Sequence, residues 1–244
     1  MAKNHLAIIA DIHGNIWALD AVLQDIEQRG IKQIINLGDS LYGSLEPAQT
    51  ADRLIAYNIP GIMGNQDRMI LDEHLHSADQ TFIHQQLTPH HIAWVRSQPS
   101  TLIFDEVFCC HGTPTSDITA LIEDITPHGV FLKSTAALEQ ILADISQPVI
   151  ACGHTHVPHL VVLSDGRLVI NPGSVGVPAY EDDLPYPHKM EAGSPHARYA
   201  ILEKKKQGWH VDLIAIPYDW QAASQLAVQR GRLDRARWIQ TGRG

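Results

Sequence analysis

The stretch Leu6-Ala7-Ile8-Ile9-Ala10-Asp11-Ile12-His13-Gly14-Asn15 decides how the rest of the chain is read. An apolar run passes directly into Asp, His, Gly and Asn. Such a run reads as a buried strand that reaches the edge of a sheet. Four later stretches repeat the design at long intervals: Gly38-Asp39, Gly64-Asn65-Gln66-Asp67, His111-Gly112 and Gly153-His154-Thr155-His156. Each follows a short run rich in Ile, Val, Leu, Met or Cys. Strand ends set side by side put their polar residues on one rim, where open α/β sheets bind ligands.

The residue types on that rim name a chemistry. Asp11 and Asp39 offer carboxylates, Asn65 an amide oxygen, and His13, His111, His154 and His156 imidazoles. This mixture suits manganese, iron or zinc better than the all-oxygen cage of calcium. The set is too large for one transition metal. It fits two ions about 3.5–4 Å apart, with Asp39 as the natural bridge. Taken singly, each residue has a plainer role. A His at a strand end is more often a hydrogen-bonded surface group, Asp39 a turn or cap, Asn65 a turn residue. Their joint occurrence, in order, carries the metal reading.

With these blocks in place, the chain resembles the calcineurin-like metallophosphoesterases, whose blocks run D-x-H, G-D, G-N-H-[DE], H-G and G-H-x-H. It is similar above all to their small bacterial and archaeal phosphodiesterase branch, with G-D-x-x-G-Y-G-P at the second block and N-P-G-S-V-G after the last. Here those read Gly38-Asp39-Ser40-Leu41-Tyr42-Gly43-Ser44 and Asn171-Pro172-Gly173-Ser174-Val175-Gly176. The resemblance extends from Leu6 to Tyr218-Asp219. It implies two divalent transition-metal ions, manganese first, with iron, zinc, nickel or cobalt as alternatives. Asp11, His13 and His156 would hold one ion and Asn65, His111 and His154 the other, with Asp39 shared. A bridging hydroxide would then attack the phosphorus of a small, nucleotide-like phosphodiester in line.

Two departures bear on this expectation. Gln66 stands where the family carries the His that protonates the leaving oxygen, and an amide cannot deliver a proton at neutral pH. General acid help is worth roughly 10²–10⁴-fold, so esters with poor leaving groups should be slow. Gln66 and Asp67 remain the expected catalytic pair, although the role of Asp67 depends on the missing His; His74 and His76 are the candidates to replace it. The branch also often carries Arg after Pro178, where this chain has Ala179. Tyr42 is placed where an aromatic ring can touch substrate, or pack under its loop. The alternatives are a phosphomonoesterase, including one of the Ser/Thr protein phosphatase type, and a non-catalytic scaffold. Tyr42-Gly43 in place of Asp-Arg speaks against the phosphatase type, and the filled ligand positions speak against the scaffold.

Composition bounds the rest. The 244 residues carry a net charge of −9 and 44% hydrophobic residues, which supports a packed core and disfavours nucleic acid or an anionic membrane as partner. Arg230, Arg232, Arg235, Arg237 and Arg243 read as a solvated helix end. Three cysteines without framework spacing point to a reducing, cytoplasmic setting. Residues 3–11 are too short and turn polar too soon for a signal peptide. The expected partner is a small phosphorylated substrate; pairing of copies through apolar edges stays open.

Periodicity predicts strands at 6–10, 34–37, 59–63, 101–104, 107–110, 149–152, 160–163, 168–170, 199–203 and 210–216. Helices are expected at 16–29, 47–54, 67–98 with a break at Pro89, and 134–145. Residues 113–131 read as irregular. Strand–helix units first and mostly strands later give a four-layer α-β-β-α sandwich of two mixed sheets, the last two strands in the second sheet. No repeat or linker divides residues 1–244, which read as one domain. Residues 178–195, with four prolines, cannot build a helix or a central strand. They read as an insertion beside the site, a lid or a substrate-selecting loop.

Overall fold

The computed structural model describes residues 5–74 and 77–244. Strand β1 (His5–Ile9) leads through the Asp11–Asn15 turn into helix α1 (Ile16–Gln28). The Asn15 side chain caps that helix, accepting from the Ala18 N–H at 3.2 Å. Ile16, Leu19, Val22, Leu23 and Ile26 recur at helical spacing and are all buried. Then come β2 (Gln33–Asn36), α2 (Pro47–Ala56) with its proline at the first turn, α3 (Asn65–Ile70), α4 (Ala78–Gln86) and α5 (Pro89–Ser97). The hairpin β3 (Thr101–Phe104) and β4 (Val107–Cys110) follows, then β5 (Glu123–Thr126), β6 (Gly129–Leu132), α6 (Thr135–Ile141) and β7 (Val149–Ala151). The chain ends with β8 (His159–Val162), β9 (Leu168–Asn171), β10 (Ala179–Asp182), β11 (His188–Glu191), β12 (Ala197–Lys205), β13 (Gly208–Ile216), α7 (Trp220–Gln229) and α8 (Leu233–Thr241).

One sheet has the order β13-β12-β1-β2 and the other β3-β4-β7-β9-β8. The pairs β1–β2, β4–β7 and β7–β9 are parallel; β1–β12, β12–β13, β3–β4 and β8–β9 are antiparallel. Side-chain alternation then builds the layers. Leu6, Ile8, Ala200 and Leu202 of the first sheet meet Val107, Cys109, Val149, Ala151 and Ile170 of the second. Ala7, Ile9, Tyr199 and Ile201 face the other way, onto α1. On the far side, Phe108, Cys110, Ile150 and Val169 pack against Leu138 and Leu142. The result is helix on sheet on sheet on helix, the sandwich expected.

The tertiary structure differs from the periodicity in several places. β12 and β13 join the first sheet, not the second, because β12 pairs antiparallel with β1, Ile201 opposite Ala7. Residues 59–63 form only an isolated parallel bridge, Gly61 to Asn36. The 67–98 segment holds three short helices rather than two. A hairpin, β5–β6, lies within the stretch read as irregular. A second hairpin, β10–β11, forms in the proline-rich stretch, set apart from both sheets.

Candidate active site

The turns after the parallel strands are laced together by backbone bonds. Asp11 N–H donates to the Gly38 carbonyl, His13 N–H to that of Asp39 and Gly14 N–H to that of Ser40, at 2.9–3.0 Å. From the other side, the Ser174 hydroxyl donates to the Asp11 carbonyl at 2.7 Å. Gly176 lies so close that a Cβ there would meet the Ile12 carbonyl oxygen at 1.8 Å. Asn171 donates to the Gly153 carbonyl at 2.8 Å and to the Thr155 hydroxyl at 3.0 Å. Thr155 in turn donates to Glu123 at 2.7 Å, so the β5 strand that sequence reasoning missed steadies the 153–156 turn.

This lacing holds the site in strained backbone. Asp11, His13, Asp39, His154 and His156 all have positive φ, between 51° and 72°. Non-glycine residues rarely adopt that region, at a cost on the order of 1–3 kcal/mol each. The only other described non-glycine residues there are Asn58 and Asp105. Strain is thus concentrated on candidate ligands.

The side chains converge with their acceptors facing one another. His13 Nδ1 donates to the Tyr42 carbonyl at 3.0 Å and His156 Nδ1 to that of Val177. A carbonyl only accepts, so each neutral ring turns an Nε2 lone pair inward. Those two nitrogens lie 3.1 Å apart, and Asp11 Oδ1 lies 4.0 and 3.5 Å from them. Asp11 Oδ1 is buried with no hydrogen-bond partner. Three acceptors aimed at one point with no donor between them fit a cation, with the carbonyls orienting the rings as they do for metal-bound imidazoles. Beside them, His111 Nε2 stands 3.5 Å from Asp39 Oδ2 and 3.1 Å from Asn65 Oδ1. Asn65 Oδ1 is also 3.2 Å from His154 Nδ1. Among the described residues, two groups of metal-ligating geometry emerge, Asp11–His13–His156 and Asp11–Asp39–His111. The carboxylate common to both is Asp11, whereas the sequence reading put Asp39 in the middle.

Electrostatics agree with this arrangement. Burial and the neighbouring His156 push His13 down to about 4; burial and His111 do the same to His154. Burial works against charge on His111 too, but Asp39 outweighs it and pushes His111 up to about 10. Buried carboxylates thus draw positive charge, from a proton or from a metal ion.

The remaining expected residues divide. Gln66 lines the pocket and leaves its Oε1 buried without a partner, while its N–H donates to Asp39 at 2.9 Å. Asp67 does not line the pocket: its oxygens accept from the Ser40 and Gly64 N–H groups at 3.0 and 3.2 Å, which caps α3. Burial and Asp39 push it up to about 7. Tyr42 packs in the core beneath its loop, 5% exposed, with its hydroxyl 3.1 Å from that of Ser77. Tyr180, on the β10–β11 hairpin, lines the pocket in its place, edge-on to His156 with centroids 4.8 Å apart. His74 is exposed and is not among the lining residues; His76 lies outside the described residues.

The pocket has a volume of about 190 Å³ and is bounded on one side by α8 and its N-cap, through Arg232, Arg235 and Trp238. Of the five arginines read as a solvated helix end, Arg237 and Arg243 are exposed, but the other three are not. Arg230 donates to the Ser44 and Leu45 carbonyls, Arg232 pairs with Asp79 and Asp234, and Arg235 is 7% exposed. The signal available in sequence was Ala236 and Ile239 three apart, which mark a buried face; nothing local says what that face covers.

A family model for the calcineurin-like phosphoesterase superfamily domain matches residues 5–187. The phosphodiesterase YfcE of Escherichia coli is 28% identical across 71% of this chain and 80% of its own. An uncharacterised protein of Methanocaldococcus jannaschii is 25% identical across 94% of both. Among solved structures, a metallophosphoesterase from Sphaerobacter thermophilus shares the fold with a TM-score of 0.75 at 23% identity, and a hypothetical protein from Pyrococcus horikoshii with 0.72 at 19%, each over 98% of both chains. The chain belongs to the calcineurin-like phosphoesterase superfamily and is a metal-dependent phosphoesterase. The matched residues stop before β12, β13, α7 and α8.

Proposed function

We propose that this enzyme hydrolyses a small, nucleotide-like phosphodiester with two divalent transition-metal ions, manganese first among them. The observation that carries the reading is the convergence of donor-free lone pairs from Asp11, His13 and His156, with Asp39, His111, Asn65 and His154 beside them. Bound there, such ions supply an activated water near neutral pH and charge that meets the phosphoryl oxygens. The chain's own residues do the rest. His13 and His156 are held in one tautomer by backbone carbonyls. Asp11 and Asp39 bring buried negative charge that would fix cations at the strand-end turns. Asp39 Oδ2 lies 3.5 Å from His111 Nε2, which supports a place for it among the ligands of the second ion. Tyr180 offers a ring at the mouth, suited to a base or another flat group.

Gln66 sets the preference among esters. It lines the pocket with a free carbonyl oxygen and an amide that can hydrogen-bond a phosphoryl oxygen, but it holds no transferable proton. Leaving groups that depart without protonation are therefore favoured, which supports activated diesters over monoesters. The three reduced cysteines fit a cytoplasmic setting. Among the described residues no helix is long and apolar enough to cross a membrane.

The test is hydrolysis of a matched chromogenic monoester and diester by metal-stripped protein, with Mn²⁺ added back and chelator as control. Metal-dependent turnover that favours the diester is expected. Turnover that favours the monoester would overturn the role given to Gln66 while leaving the metal site standing.

A further inference from the structure

Among the described residues, eight buried side-chain atoms lack a hydrogen-bond partner, and three belong to one pocket: Gln66 Oε1, Arg235 Nε and Trp238 Nε1. A buried guanidinium without a counterion is costly, so its partner is normally close by. For Arg235 the nearest candidate is Asp79, but Asp79 already accepts from Arg232, and its contact with Arg235 Nη2 is 3.8 Å, beyond hydrogen-bond length. Asp234 is likewise bound to Arg232, at 2.8 and 3.1 Å. Arg232 thus takes the hydrogen bonds of both neighbouring carboxylates, and Arg235 balances the cluster's charge only across the 3.8 Å contact, without a hydrogen bond to either. Burial opposes that charge, yet a guanidinium stays protonated.

Arg235 is also held in place. It sits on α8, whose Ala236 and Ile239 pack with Leu45, Ala223 and Ala227. Trp238, one turn along the same helix, packs on Val177 and Ala179. The site residues His13, Asn65, Gln66 and His156 line the same pocket, together with Tyr180, Glu181 and Asp182 of β10, and Glu181 is paired with Lys189 and Arg237. Arg235, with its fixed fork of N–H donors, and Trp238 line the same pocket as candidate metal ligands, and a guanidinium there matches the oxygens of a phosphate group.

We propose that Arg235 is the anion clamp of this enzyme: it grips a phosphate oxygen of the substrate from the α8 side, with the Trp238 indole N–H as a second donor. This specificity determinant lies outside the residues that the family model matches. It rests on the proposed phosphodiester reading, and the two fail differently. If the wild-type protein shows no Mn²⁺-dependent turnover, the reading of function falls. The clamp is then judged on direct binding of inorganic phosphate to wild type and variants by calorimetry, and equal binding to wild type and Arg235→Gln would overturn it.

The experiment compares Arg235→Gln, Arg235→Lys and Trp238→Phe with wild type, all loaded with Mn²⁺. Diester kinetics, inhibition by inorganic phosphate, metal stoichiometry and thermal midpoint are measured together. Arg235→Gln should raise KM and the inhibition constant for phosphate by about tenfold or more, with metal content unchanged. Arg235→Lys should recover part of that loss, since an ammonium keeps the charge but not the fork. Trp238→Phe keeps the ring, removes one donor and should give a smaller rise. Unchanged KM and phosphate inhibition in Arg235→Gln would overturn the clamp. So would a variant whose only defects are a lower midpoint and lost metal, because Arg235 would then be a structural anchor of α8.

Discussion

At the scale of single residues, the site is made by orientation more than by residue type. Five candidate ligands sit at positive φ, each held by neighbours that a longer or more mobile turn would not provide. Asp39→Asn removes charge while nearly conserving shape. We expect it to lose metal and activity together; substantial activity with full metal content would rule out its role as a ligand. Gln66→His tests the leaving-group argument. It should raise monoester turnover more than diester turnover, by up to the 10²-fold or so that a positioned acid supplies; equal gains would remove that explanation. The proton on His111 gives a third test. A cation must displace it, because His111 is pushed up to about 10. Metal affinity should therefore rise as pH increases from 6 to 8, with proton release detectable by calorimetry in buffers of different ionisation enthalpy. A flat affinity would show that His111 is not a ligand.

At the scale of elements, the turns matter more than the strands they follow. The 171–176 turn has no side chain in the candidate ligand set, yet it buttresses the Asp11–His13 turn through Ser174, Val175 and Gly176. Gly176→Ala would set a methyl against the Ile12 carbonyl. The expected result is destabilisation of about 1–3 kcal/mol by denaturant unfolding and weaker Mn²⁺ binding, since His13 moves with Ile12. Loss of stability with intact metal affinity would separate the two turns. The β10–β11 hairpin shows how composition misleads. Its prolines exclude it from a central strand, but they do not prevent a two-stranded ribbon whose Tyr180 reaches the pocket.

At the scale of the whole molecule, the two sheets share one interior. Cys109 lies between the sheets, while Cys110 and Cys152 lie between the second sheet and α6. Burial pushes the thiols upward, Cys109 to about 12. The native protein should resist thiol reagents at pH 8, and all three groups should react in step with global unfolding. Labelling of any one under native conditions would show that the layers open separately. The net charge of −9 also becomes intelligible here, because buried carboxylates contribute to it where cations are expected to bind.

By itself, the sequence determined which residues stand at strand ends and that their oxygen and nitrogen donors suit transition metals. Those features are local: an apolar run, a glycine and a polar residue are adjacent in the chain. The α-β-β-α layering was also legible, since alternation and helical spacing record which faces are buried. Only the tertiary structure decided that β12 lies beside β1, that Tyr42 is core while Tyr180 faces the pocket, and that Asp67 caps a helix. It alone brought Arg235 and Trp238 of the last helix against His13 and Gln66. Strand pairing and helix docking join residues far apart in sequence through non-directional apolar contact, which fixes that a face is buried without recording what it is buried against.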